Sequence, residues 1–201
     1  YANKNGFPGA GKFLDSYQKD NNTDFHTMVS EIADIPRKQA KTINLGLFYG
    51  MGKGKLMSEL GVNIEEATEL LQSYHERVPF VKKLTYDTQG IASKNGFLTT
   101  IQGRRCRFDL WESELEWGKK ALPEEEAGRE YGKKTIKRAW TYKALNKLIQ
   151  GSAADQIKTA MIHLHREGYT SHIQVHDELD FSVASDADKA KIKEIMETCL
   201  P

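Results

Sequence analysis

Apolar positions recur at helical spacing through most of the chain, and apolar runs short enough to be strands fall in only two places. Gly6, Pro8, Gly9 and Gly11 mark residues 5–11 as a loop, with a short helix expected over Lys12–Lys19. Asp24 suits the N-cap of a helix carrying His26, Met28, Val29 and Ile32. Pro36 opens a helix over 36–49, which Gly50, Gly52 and Gly54 break. A short helix is expected at 55–60. Asn63 or a neighbour caps the next, Glu65 to Arg77, with Ala67, Leu70, Leu71 and Tyr74 on one side. Pro79 starts another, 79–94, turning Phe80, Val81, Leu84 and Ile91 inward. Asn95-Gly96 signals a turn, and Phe97–Ile101 with Arg105–Phe108 reads as a small hairpin around Gly103.

The pattern then lapses. Residues 109–138 hold Glu112, Glu114, Glu116, Glu124–Glu126, Lys133, Lys134, Lys137 and Arg138, interrupted by Gly118, Pro123, Gly128 and Gly132. They read as a charged surface excursion, partly helical and mobile, and a solvated face is the plain explanation of its charges. Helical periodicity returns over 138–167, where Leu145, Leu148, Ile149, Ala153, Ile157, Met161 and Leu164 form a stripe and Gly168 suits the C′ position. Ile173-Gln174-Val175 and Leu179–Val183 read as two strands around His176-Asp177-Glu178. A last helix runs from Asp186 or Asp188 to Thr198.

Composition changes this picture little. The chain has 201 residues, 39% hydrophobic and 28% charged, an ordinary globular balance with room for one or two domains. A net charge of +1 does not announce nucleic-acid binding, so local clusters must carry any such role. No apolar run has membrane-spanning length, and no membrane association is expected. Cys106 and Cys199 lack metal-like spacing and form no disulfide framework, so a reducing, cytoplasmic setting is the default. The chain opens on Tyr1-Ala2-Asn3 and closes on Leu200-Pro201 directly after a helical pattern, so a fragment is expected.

Chemistry concentrates first in Arg37-Lys38-Gln39-Ala40-Lys41-Thr42-Ile43-Asn44-Leu45-Gly46-Leu47-Phe48-Tyr49-Gly50. At about 100° per residue, Arg37, Lys41, Leu45 and Tyr49 advance about 40° per step along one side of a helix. Cations lead and bulky side chains follow, a gradient suited to a polyanionic tail and a flat ring. Solvated charge is the plain alternative for the two cations. His176-Asp177-Glu178 places carboxylates at a hairpin tip, where a hard cation such as Mg²⁺ could take oxygen ligands, although acidic turns are common. Asn146 and Gln150 lie four apart before Gly151-Ser152-Ala153-Ala154-Asp155. The amides could donate to minor-groove base acceptors, and the small residues admit either a neighbouring strand or a nucleic-acid backbone. Gly103-Arg104-Arg105 adds a basic turn. Together these clusters fit nucleotidyl transfer.

The sequence resembles the polymerase domain of family A DNA polymerases, the bacterial DNA polymerase I type and within it the phage-like branch. Arg37 through Gly50 resembles the nucleotide-binding motif B, Val175-His176-Asp177-Glu178 resembles motif C, and Asn146 with Gln150–Asp155 resembles the helix between them. Asp24-Phe25-His26-Thr27 is similar to the family's Asp-Ile-His-Thr segment. The resemblance implies an α+β, mostly helical fold, with a fingers-like region over 21–138 that includes the excursion at 109–138. Residues 139–201 would be a partial palm with a small antiparallel hairpin, and residues 1–20 would follow a motif A lying upstream.

Its implied chemistry is template-directed DNA synthesis, transfer of a dNMP from a dNTP to a primer 3′-hydroxyl with release of pyrophosphate, using two Mg²⁺ ions. His26, Arg37 and Lys41 would hold the triphosphate, with Lys41 also a proton donor to pyrophosphate. Leu45 and Tyr49 would pack by the nucleotide. Asp177 would bind metal with Glu178 beside it, and His176, Asn146, Gln150, Arg104 and Arg105 would contact the primer–template. The implied partners are primer–template DNA and dNTPs, with no processivity factor identifiable. The setting would be the bacterial cytoplasm, or the infected host cell if phage-encoded. Without motif A the chain alone would be inactive. Leu45 departs from the Phe or Tyr usual at its position, and 109–138 is longer than in the bacterial enzymes. The alternatives are a catalytically inactive DNA-binding relic of the same fold and an unrelated helical interaction domain.

Overall fold

A computed structural model describes residues 2–20, 22–48 and 51–200. The fold is α+β and mostly helical, with small antiparallel sheets. It divides into two compact units, Tyr1–Phe97 with Arg107–Asn146, and Leu98–Cys106 with Lys147–Pro201. The change of unit at 146/147 lies inside a helix.

The first unit is built on helices α1 (Ala10–Lys19), α2 (Phe25–Ala33), α3 (Arg37–Phe48), α4 (Lys53–Leu60), α5 (Ile64–Arg77) and α6 (Pro79–Asn95). Local signals set several of the ends. The Asp24 side chain accepts from His26 N and caps α2. Asn63 and Glu66 form a reciprocal capping box on α5, whose first turn carries acids and whose last carries His75 and Arg77, complementing the helix dipole. The α4 helix starts at Lys53, inside the glycine-rich turn and earlier than expected.

Phe7, Phe13, Val29, Ala40, Ile43, Leu56, Tyr74, Val78, Phe80 and Val81 close one core. Phe13 meets Phe80 edge-on with centroids 4.9 Å apart and tilts against Phe25 at 5.3 Å. A buried aromatic contributes about 3–5 kcal/mol by truncation, so these rings fix how α1, α2 and α6 stack.

The largest correction concerns residues 109–138. They contain a three-stranded antiparallel sheet in the order β4-β3-β5, where β3 is Leu110–Ser113, β4 is Leu122–Pro123 and β5 is Ile136–Arg138. A short helix, α7 (Glu124–Ala127), continues into a π turn at Gly128–Gly132. The strands are two to four residues long, too short for a period-two signal among so many charges. Glu112 stands opposite Lys137 across the sheet, a favourable cross-strand pair. Arg138 ties the sheet to α6: it donates to Ser93 O and Phe108 O, and its guanidinium stacks 4.7 Å from the Trp111 ring centroid. Gly96 is essential here. It caps α6 at φ 77°, and a Cβ on it would lie 2.8 Å from Arg138 Cζ.

The long helix α8 spans Ala144–Arg166, not 138–167. Arg138 belongs to β5, and Trp140, at φ 59°, followed by a 3₁₀ turn, separates strand from helix. In the second unit, α8 packs Ala160 and Leu164 on Ile192 and Ile195 of α9 (Asp186–Thr198), which Ser185 caps, and on Cys199 just beyond it. Ile149, Ala153 and Met161 of the expected stripe are exposed, because α9 covers only the far end of α8. Strands β6 (Ile173–Val175) and β7 (Glu178–Asp180) pair antiparallel, with β7 shorter than expected.

Candidate nucleotide and metal sites

Asp24, His26, Arg37, Asn44 and Tyr74, scattered over fifty residues, form one hydrogen-bonded group in the first unit. Arg37 Nε donates to Asp24 Oδ2 at 2.9 Å and to Thr27 Oγ1 at 3.2 Å, and its Nη2 also bonds Asp24 Oδ2. Asp24 Oδ1 accepts from His26 N at 2.8 Å. The Arg37 hydrogen bond, helped by His26 N and Thr27, holds the Asp24 carboxyl at about 2. Thus one carboxylate caps α2 and orients the guanidinium of α3, which remains 56% exposed. Asp24 is legible from sequence as a cap, but its bond to Arg37 is not.

Helix α3 presents two contrasting faces. Ala40, Ile43 and Asn44 are fully buried, whereas Arg37, Lys41 and Leu45 are exposed, Leu45 by 40%. The exposed row is the one expected from four-residue spacing. Tyr49, its fourth member, lies outside the described residues. His26 stands beside this row. Burial pushes its pKa down, Asp24 pulls it up, and Arg37 and Lys41 push it down again, for a net lowering. Behind it, Asn44 Nδ2 lies 3.0 Å from His26 Nδ1, and the Tyr74 hydroxyl donates to Asn44 Oδ1 at 2.6 Å. Neither Asn44 nor Tyr74 stands out in the sequence: Tyr74 reads as core, and Asn44 is one amide in a helix.

In the second unit, the turn between β1 (Phe97–Thr99) and β2 (Arg105–Arg107) is fastened to α8. Arg104 Nε donates to Asp155 Oδ1 at 2.8 Å and Nη2 to Gly151 O at 2.7 Å, while Ile101 N donates to Ser152 Oγ at 3.2 Å. Asp155 is buried, which alone would raise its pKa, but hydrogen bonds from Thr100 and Arg104 bring it below the usual range. A Cβ on Gly151 would lie 3.0 Å from Thr100 Cγ2 and 3.2 Å from Cys106 Sγ. The small residue at 151 therefore admits this turn. Arg104 is committed to α8, with 47% of its side chain still exposed, and Arg105 is exposed. Asn146 is half-buried and Gln150 exposed, both on α8.

The β6–β7 connection has two residues, His176 and Asp177, so Glu178 opens β7 instead of sharing the tip. His176 takes a left-handed backbone, φ 52°, uncommon for a residue with a side chain, and its carbonyl accepts from Gln174 Nε2 at 2.7 Å. All three residues are exposed. Among the described residues no three His, Cys, Asp or Glu side chains gather into a metal-holding group. The donors at the tip are hard carboxylate oxygens. Asp177 fits the one or two carboxylates that Mg²⁺ takes from protein when phosphate and water complete its shell. No helix among the described residues is long and apolar enough to cross a membrane.

The family model for DNA polymerase family A matches residues 11–200. The chain is 37% identical to a DNA-directed DNA polymerase of Pseudomonas phage M6, covering 93% of this chain and 30% of that protein. It is 33% identical to a thermostable DNA polymerase I of Thermus filiformis, over 82% of this chain and 18% of the relative. Among solved structures, the POL domain of Pol1 from M. smegmatis, in complex with DNA primer-template and dNTP, superposes with a TM-score of 0.69 at 28% identity. That match covers 90% of this chain and 32% of the other. The chain thus spans less than a third of the length of these relatives.

Proposed function

The chain belongs to DNA polymerase family A, and from that premise we propose that it supplies the nucleotide-binding face and one metal-binding carboxylate of a template-directed DNA polymerase. The reaction is transfer of a dNMP from a dNTP to a primer 3′-hydroxyl, releasing pyrophosphate. The observation that carries the reading is the cationic row of α3 beside His26, with Arg37 already oriented by Asp24.

Arg37 and His26 grip the outer phosphates. Lys41 contacts the phosphates, offsets the charge that develops on them, and gives a proton to departing pyrophosphate. Leu45 packs on the sugar and base, and Tyr49 stands by the templating base. Asp177 holds Mg²⁺, with Glu178 beside it. Two such ions, when bound, stabilise the attacking 3′-oxygen and the leaving phosphate oxygen. His176 sits near the primer terminus, and the residues over 21–138 act as fingers and those over 139–201 as part of a palm. Asn146 and Gln150 donate to the minor groove, where every base pair offers acceptors. Arg105 and the exposed part of Arg104 meet the primer–template backbone. The chemistry also needs the rest of the longer polymerase, and the activity is cytoplasmic.

Primer extension by the polymerase carrying this chain, with Mg²⁺ and dNTPs, tests the reading. Asp177→Ala should nearly abolish extension while DNA affinity holds. Wild-type extension by that variant would remove the metal assignment. A wild-type polymerase that binds primer–template yet extends nothing would instead be a DNA-binding relic.

A further inference from the structure

Asn44 has no part in the chemistry above, yet it is a polar side chain with no exposed surface. It sits on the buried face of α3 with His26 on one side and Tyr74 of α5 on the other. A buried amide can present either its oxygen or its NH₂ to a neighbouring ring, and the partner at its other end decides which. Here the Tyr74 hydroxyl decides. The phenol is fully buried and its O–H donates to Asn44 Oδ1; with the amide turned over the oxygen could accept from the NH₂, but the buried O–H would lose its acceptor. The NH₂ group is left facing His26, so Nδ1 accepts and the ring proton resides on Nε2.

We infer that Asn44 and Tyr74 are positioning residues that lock His26 as the neutral, Nε2-protonated tautomer, fixing it as a hydrogen-bond donor to a phosphate oxygen. The inference rests on the reading of His26 as a triphosphate ligand. Protonating Nδ1 would set one N–H against another, and Asn44 could relieve the clash only by turning over and giving up its bond from Tyr74. The other groups facing the ring are divided. Asp24, at the cap of α2, favours the imidazolium, whereas Arg37 and Lys41 on α3 oppose it. Arg37 and Lys41 already bring positive charge to the phosphates. A neutral donor adds direction without a third cation, so the grip on a dNTP does not strengthen as pH falls toward 6.

The lock is read directly by ¹⁵N NMR of this chain labelled at histidine, and its consequence by the pH dependence of KM for dNTP in the polymerase that carries it. Wild-type His26 should show one tautomer, protonated on Nε2, with a titration midpoint below the ordinary 6.5. Tyr74→Phe frees Asn44 to turn. His26 should then populate the Nδ1-protonated form and titrate higher than in the wild type, and KM for dNTP should fall by about 3- to 10-fold between pH 8 and pH 6, with kcat less affected. Asn44→Asp keeps the side-chain shape but presents only acceptors. It should drive His26 to Nδ1–H with a larger rise, and it carries the test if Tyr74→Phe does not fold. Wild-type ring signals in the folded variants would overturn the lock. Altered ring signals with a KM indifferent to pH would uphold the lock and overturn the placement of His26 on the triphosphate.

Discussion

The surroundings of Arg37 and the tip at Asp177 hold the residues proposed for chemistry, and they are built in opposite ways. Around Arg37, side chains from α2, α3 and α5 converge, and a fully buried amide and phenol stand behind the exposed row. At Asp177, consecutive residues occupy an exposed two-residue turn between three-residue strands, of which only Leu179 is partly buried. In the second unit the dense polar bonding lies elsewhere, where Arg104, Asp155 and Gly151 join a turn to α8. The contrast fits the two tasks. A grip on a long, flexible triphosphate needs several donors held in fixed directions. A carboxylate for Mg²⁺ needs hard oxygens and room for water and phosphate, which an exposed tip gives.

The strongest way to break this comparison is to remove chemistry from the buttressed region without touching its buttress. Lys41 is exposed. Lys41→Ala should lower kcat for primer extension by about 10²- to 10³-fold, the range for losing an electrostatic or proton donor to a developing charge. Thermal unfolding should be unchanged. A variant that loses only DNA affinity would show that the row faces DNA instead of a triphosphate.

The next test strikes the second unit at its joint. Gly151→Ala would place a methyl 3.0 Å from Thr100 Cγ2 and 3.2 Å from Cys106 Sγ, so those side chains must give by a few tenths of an ångström. The strain, about 1–3 kcal/mol, is expected to outweigh the roughly 1 kcal/mol that alanine gains over glycine inside a helix, for a net loss of stability by denaturant unfolding. The His26 ring signals should not move, since that group lies wholly in the first unit. Neutral stability would mean that the turn yields freely, and the contrast in rigidity between the regions would shrink.

A gentler probe is pH. The folded Asp24 carboxyl, at about 2, lies below its ordinary 3.8. A depressed pKa means the folded form binds its proton less readily, so the contribution of the Arg37–Asp24 pair is complete above about pH 4 and is lost as the pH falls through about 2. The carboxyl ¹³C shift of Asp24 should titrate near the lower value, and Arg37→Lys should move it upward, because an ammonium cannot reproduce the fork. Titration near 3.8 in the wild type would show that Arg37 is not held before ligand arrives.

These regions also differ in how much of each could be read from sequence. The helices were legible because their caps and apolar rows are local: Asn63, Pro79, and the row Phe80, Val81, Leu84. The hairpin at Asp177 was legible for the same reason, its ends blurred by one or two residues. The sheet formed by residues 110–138 was not, since strands as short as Leu122–Pro123 carry no period and depend on Arg138 and Trp111, far away in sequence. The exposed row of α3 follows from four-residue spacing, but its support from Asp24, Asn44 and Tyr74 does not. Asn44 Oδ1 and Tyr74 OH are thirty residues apart, and hydrogen bonds of that span leave no periodic trace. Asp155 and Arg104 make the same point in the second unit.

The smallest expected effect lies at Leu45. Its side chain is 40% exposed on the row of α3, so enlarging it should neither empty nor overfill the core. Leu45→Phe should therefore leave unfolding within about 0.5 kcal/mol of wild type, the usual range for surface changes. What it alters is the surface offered to the sugar and base. A ring covers more of a nucleotide than an isobutyl group and is stiffer, so discrimination between deoxy- and dideoxynucleotides, and between matched and mismatched bases, should shift by several-fold, an amount set by about 1 kcal/mol of packing. Single-nucleotide incorporation kinetics with both substrate types measures it. Unchanged ratios would mean that Leu45 does not touch the nucleotide. The exposed row would then end at Lys41, and its resemblance to the tip at Asp177, charge without an apolar continuation, would be closer than the structure of α3 suggests.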